Sequence, residues 1–156
     1  MPDDLWLKDT FTWSIQQAEC LRRLRAGERV NDLDWDNIIE EIESVGRSQV
    51  DAVRSHLIQA VAHLLKIHAW PDNPSAGGWR HDAVVFLAEA QDRYRPSMAG
   101  AVDLPGVYRR ALKRLDPASF PAPPLPLPAD ADIPLAALED EDFTVDALAA
   151  ALFPPA

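Results

Sequence analysis

Carboxylates and imidazoles are the side chains of this sequence best suited to hold a transition metal. Glu40, Glu43, His56, His63 and His68 gather both kinds within residues 40–68. Helical bundles bind ions with such groups projecting from adjacent helices. Spacing weakens most combinations. His56 and His63 stand about 10.5 Å apart along a helix axis at ~1.5 Å per residue, too far to share one ion. The Glu-x-x-His pattern of di-iron bundles is absent. Glu40, Glu43 and His56 remain as metal candidates for a metal-dependent enzyme. That alternative ranks below salt-bridged acids and hydrogen-bonded histidines: if the chain folds back about Arg47, Glu40 comes level with Arg54 and the two make an ion pair.

Other chemistry is weaker still. The sequence around Gly46 also fits a helix-turn-helix in which Gln49 and Arg54 reach DNA. Against this, Glu40, Glu41 and Glu43 crowd the positioning helix, and the recognition helix is long and mostly apolar. Cys20 has no histidine near it in sequence and reads as a small buried hydrophobe rather than a catalytic thiol. Arg109, Arg110, Lys113 and Arg114 form one dense basic cluster. Its expected use is internal, docking Glu139, Asp140, Glu141 and Asp142 of a tethered acidic tail. Trp6, Trp35, Trp70 and Trp79 are expected as core or interface anchors. No phosphate loop, dinucleotide glycine motif or nucleophile elbow occurs, so no cofactor is expected.

Helices must position all of these groups. One is predicted from about Thr10 to Ala26, capped by Asp9 or Thr10 and ended at Gly27. Its apolar residues lie on two arcs, Phe11, Ile15 and Ala18 on one and Trp13, Leu21 and Leu24 on the other. From Trp35, with Asp34 as cap, Ile38, Ile39, Ile42 and Val45 recur at helical steps and predict a half-buried helix. Gly46-Arg47-Ser48 reads as a corner, and Ser48-x-x-Asp51 as a capping box opening a longer helix to about Ala69. A left-handed Gly46 would make Gly46→Val destabilising. Further helices are expected from about Trp79 to Tyr94 and from Pro105 to Leu115, with residues 97–103 ambiguous. Six prolines between Pro117 and Pro128 mark an extended linker. Short helices are expected beyond it, over Pro134 to Leu138 and Thr144 to Leu152. No strand-like alternation appears, so the fold is expected to be all-α: a small bundle of about five helices over residues 1–116, a linker over 117–128 and an acidic helical tail over 129–156 that docks on the bundle.

The net charge of -10 is unevenly spread: residues 1–114 hold all 15 Lys and Arg, whereas residues 115–156 hold no base and 8 acids. The acidic tail would repel a phosphate backbone, so nucleic acid is disfavoured as a partner. One cysteine excludes an internal disulfide and suits a reducing compartment. The acidic N-terminus leads into no signal-like apolar run, and no stretch reaches the roughly 20 apolar residues that span a bilayer. A cytoplasmic protein without membrane contact is expected.

Several blocks together resemble a known family. They are Trp13 with Gln17-Ala18 and Leu21-Arg22, the run Asn37-Ile38-Ile39-Glu40-Glu41-Ile42-Glu43-Ser44-Val45-Gly46-Arg47-Ser48, then His63-Leu64-Leu65-Lys66, Trp79-Arg80 and Asp140-Glu141-Asp142-Phe143. The chain resembles the uncharacterised bacterial family catalogued as domain of unknown function twenty-nine. That resemblance implies a small helical fold and supplies neither an activity nor catalytic residues. The proline-rich linker and the continuation after Phe143 depart from the family pattern. The reading that remains is a non-enzymatic helical module that binds another protein or a second copy of itself.

Overall fold

The computed structural model describes residues 5–156, and every regular element in them is helical. A single turn, α1 (Leu5–Lys8), leads through Asp9 into α2 (Thr10–Arg25). The Asp9 carboxylate accepts from the Thr12 amide at 3.0 Å, satisfying one of the free N–H groups of the first turn. At the far end Gly27 takes φ +89°, a left-handed conformation that stops the helix and that a Cβ would strain.

The next helix, α3 (Trp35–Ala69), runs 35 residues without a break. The expected corner at Gly46-Arg47-Ser48 is thereby overturned, and with it the capping box at Ser48 and the helix-turn-helix. Gly46 is helical, lacks a positive φ, and has open space where a Cβ would stand. The reason is energetic. One exposed glycine costs a helix roughly 1 kcal/mol relative to Ala, whereas a break would leave a set of terminal backbone groups to satisfy and a second helix to nucleate. Arg47 reinforces the junction by pairing with Glu40 and, at 3.8 Å, with Glu43 one turn back.

Two compact units result, Met1–Arg47 and Ser48–Ala156, and their boundary falls inside α3. In the first, α1 and α2 run antiparallel to the early turns of α3. Ring nitrogens show it: Trp6 reaches Glu41 and Trp13 reaches Asp34, so residue numbers fall along α3 as they rise along α2.

The second unit adds α4 (Ala76–Arg93), α5 (Leu104–Lys113), α6 (Ala136–Glu139) and α7 (Val145–Leu152) to the C-terminal half of α3. The helix α4 starts three residues earlier than expected, taking in Gly77 and Gly78. Residues 96–98 form a turn of 3-10 helix. One core joins Val53, Leu57, Val61 and Leu65 of α3 to Ala83 and Leu87 of α4, Val107, Tyr108 and Ala111 of α5, and Leu138, Val145, Leu148 and Leu152 of the last two helices.

The proline-rich segment is fixed to this core through its backbone. Extended proline-rich chain makes no internal hydrogen bonds, so its carbonyls are open to outside donors. Trp70 Nε1 donates to the Ala122 carbonyl at 2.8 Å and the Tyr108 hydroxyl to that of Pro128 at 2.6 Å. The Leu125 amide donates to the Ala69 carbonyl, capping the end of α3 at 2.9 Å. Phe120 stacks on Trp70 with ring centroids 4.0 Å apart. No helix among the described residues is long and apolar enough to cross a membrane.

Two substitutions test this architecture by urea or thermal unfolding. Gly46→Ala should stabilise the protein by roughly 0.5–1 kcal/mol, since helical Gly46 leaves room for a methyl; a destabilised variant would restore the corner. Leu148→Ala, which empties a fully buried site, should cost about 2–5 kcal/mol, and a change under about 1 kcal/mol would show that α7 is not part of the core.

Candidate functional site

The hairpin of the first unit is held by polar side chains rather than by a core. Trp13 Nε1 donates to Asp34 Oδ2 at 2.9 Å, and Asn37 Nδ2 donates to the same oxygen at 2.8 Å. Gln17 accepts from the Asp34 amide at 2.8 Å, and Trp6 Nε1 donates to Glu41 Oε1 at 2.6 Å. Asp34 is the hub, and its backbone carbonyl also receives the first helical hydrogen bond of α3, from Ile38. Asn37 and, after it, Trp13 hold its carboxyl below the usual aspartate value.

Apolar burial here is slight. Trp13 and Ile38 are the buried hydrophobic residues among the described part of this unit. Of the stripe expected to be buried on α3, Ile38 alone is enclosed, whereas Trp35, Ile39 and Ile42 are 52%, 52% and 68% exposed. Leu7 and Phe11 are 73% and 76% exposed.

Leu7, Trp35, Ile39 and Ile42 share one flank. Trp6 and Trp13 mark the side of α1–α2 turned to α3, and Asp34, Ile38 and Glu41 mark the side of α3 turned back. At ~100° per residue, Leu7 lies about a quarter-turn beyond Trp6, and Trp35, Ile39 and Ile42 about a quarter-turn beyond the second set, in the same rotational sense, whereas Phe11 lies nearly a half-turn from Trp13, on the outer face of α2. In an antiparallel pair of right-handed helices, equal rotations of one sense reach the same side. Ile15, one turn on from Phe11, borders a cleft with Gln16, half-buried Cys20 and residues 31–36, Trp35 among them. The sequence carried one signal of exposed apolar surface in this unit, the arc of Phe11 and Ile15 on α2 apart from that of Trp13. Periodicity distinguishes an apolar face from a polar one, but cannot say whether anything covers it.

The metal candidates do not converge. Among the described residues no group of three or more His, Cys, Asp or Glu is placed to hold an ion. Glu40 and Glu43 pair with Arg47, whereas His56 lies more than three turns further along α3 and stacks beside Phe86 with centroids 6.1 Å apart. Arg54 does not meet Glu40; it donates to the Ala101 and Val102 carbonyls at 2.7 and 3.0 Å and pairs with Asp51. His68 stacks on Phe153 at 3.8 Å.

His63 is better placed for chemistry. Its Nδ1 donates to the Gln59 carbonyl at 2.6 Å, leaving Nε2, 3.5 Å from Asp82, to pair with that carboxylate only when the ring is protonated. Lys66 lies 5.1 Å above the Trp79 ring, its pKa pushed down by burial and partly restored by Asp82. These contacts fasten α4 to α3.

The tail is held differently from the expectation. Among the described residues no ion pair joins Arg109, Arg110, Lys113 or Arg114 to Glu139, Asp140, Glu141 or Asp142. Both groups are exposed. Arg80 instead grips Asp146 with two hydrogen bonds of 2.6 and 2.9 Å, and Gln91 Nε2 faces the carbonyls of Ala137, Asp140 and Phe143 at 3.0 to 3.2 Å. Neither residue stood out in the sequence, because a lone Arg or Gln acquires a partner only from the packing of distant segments.

The Asp34 hub gives a pH test. A carboxyl held below 3.8 contributes fully above about that pH and loses its contribution as pH falls through the lower folded value. Asp34→Asn should lower stability by about 1 kcal/mol at neutral pH and fall less steeply than the parent between about pH 5 and pH 2. Parallel acid-unfolding curves, followed by tryptophan fluorescence, would remove Asp34 from this role.

Comparison with known proteins agrees with this helical architecture. Among solved structures, the chain is similar to an α-helical protein of unknown function from Rhodospirillum rubrum. The two are 32% identical over 96% of this chain and 98% of that one, with a TM-score of 0.67. No curated protein matches. The profile of one family covers residues 5–144, and so the chain belongs to the family described as domain of unknown function DUF29.

Proposed function

We propose that this protein is a non-enzymatic binding module whose working surface is the apolar flank of its N-terminal hairpin, and that it acts in the cytoplasm by docking another protein chain. The observation that carries this reading is the exposure of Leu7, Trp35, Ile39 and Ile42 together on one flank. Exposed apolar residues scattered singly are ordinary, but a cluster of large apolar side chains that includes a tryptophan is the composition of an interface centre. The surrounding polar lattice of Trp13, Gln17, Asp34 and Asn37 fixes the two helices, so the flank is presented preorganised. The lone cysteine suits a reducing cytoplasm.

In-cell photo-crosslinking tests the reading. A photoreactive residue replacing Ile39 should give a discrete protein adduct, whereas the same residue at exposed Ser55 in the second unit should not. Absence of any adduct at Ile39, with the protein folded, would defeat the proposal.

A further inference from the structure

We infer that the occupant of this flank is the same flank of a second copy, so that two hairpins close into an intermolecular four-helix bundle. The inference rests on the binding reading above and names its partner. Three observations carry it.

The first is size. Four side chains that are 52–73% exposed present on the order of 500 Å² of apolar surface, and two copies face to face would bury roughly 1,000 Å² from these residues alone. That meets the roughly 1,000 Å² expected of a biological interface before any rim contact is added. The second is the insufficiency of the unit itself. A segment of about this length rarely supports a core alone and commonly relies on association, and here its buried apolar residues among those described are Trp13 and Ile38. A helical hairpin with one flank open is half of a four-helix bundle. The third is that no occupant for it is found among the described residues. The other apolar helices that could cover such a flank, α6 and α7, already place Ala137, Leu138, Val145, Leu148 and Leu152 in the core of the second unit.

The flank also suits self-association chemically. At helical spacing its interior positions on α2 and α3 are Ser14, Trp35, Ile39 and Ile42, with no charge among them to be buried against its own copy. A self-complementary patch is what a twofold, isologous contact requires.

Sedimentation equilibrium of the full chain across micromolar concentrations provides the test, with the adduct at position 39 as its companion. The expected result is a reversible dimer of twice 17.3 kDa, dissociated at least tenfold more readily by Ile42→Glu and by Leu7→Ser, while Val84→Glu, at an exposed position of the second unit, leaves the dimer intact. Unchanged helical circular dichroism separates lost association from lost folding. The crosslinked adduct should carry the mass of two chains. A wild-type monomer throughout, or a dimer untouched by both flank variants, overturns the inference. An adduct of another mass at Ile39 overturns it while the binding reading stands; no adduct at all defeats both.

Discussion

Continuity of α3 through Gly46 is the constraint on which the arrangement depends. A 35-residue helix supplies one wall of the first unit and the central wall of the second, and the same backbone hydrogen-bond ladder runs through both. A single glycine is too small a perturbation to interrupt it, because propagation adds a hydrogen bond for each residue ordered, whereas a restart incurs the nucleation cost again. The helix accordingly changes character along its length. Up to Arg47 its neighbours bond to it through polar side chains, and beyond Ser48 it is wrapped in apolar contacts on several sides, with Val53, Leu57, Ala60, Val61 and Leu65 fully enclosed.

The second unit shows how a proline-rich segment becomes part of a fold without secondary structure of its own. Proline removes donors but not acceptors, so the segment offers a row of carbonyls to the side chains beneath it. Trp70 and Tyr108 are large enough to be buried by their rings and to extend a single donor each to the Ala122 and Pro128 carbonyls. With the segment held, the chain returns α6 and α7 to the core, and Gln91 faces the carbonyls of the turn between them. Tyr94, in contrast, buries a hydroxyl for which the structure shows no partner, and Glu139 nearby adds to the desolvation that raises its pKa.

The first unit reverses this logic. Its rigidity comes from directional bonds converging on Asp34, and its large apolar side chains look outward. Directional bonds set the spacing of two helices without consuming the faces beside them, which is how a small hairpin can be ordered and still present hydrophobic surface.

Local chemistry settles within a few residues, and that much was legible from the sequence alone: Asp9 as a cap, Gly27 as a stop, Pro105 in the first turn of α5, a short helix from about Thr144, and helices throughout. Each depends on the backbone preferences of a residue and its immediate neighbours. Tertiary structure alone decided the rest. Whether Gly46 ends a helix depends on the segments that pack on either side of it, and Ser48-x-x-Asp51 presents the same pattern whether or not a helix begins there. Glu40 took Arg47 rather than Arg54, and Asp146 rather than Glu139–Asp142 took the basic partner, Arg80. Ile38 became core while Ile39 and Ile42 stayed exposed, though all three lie on one helical stripe. Periodicity records which residues share a face, but only the other segments of the chain determine what that face meets.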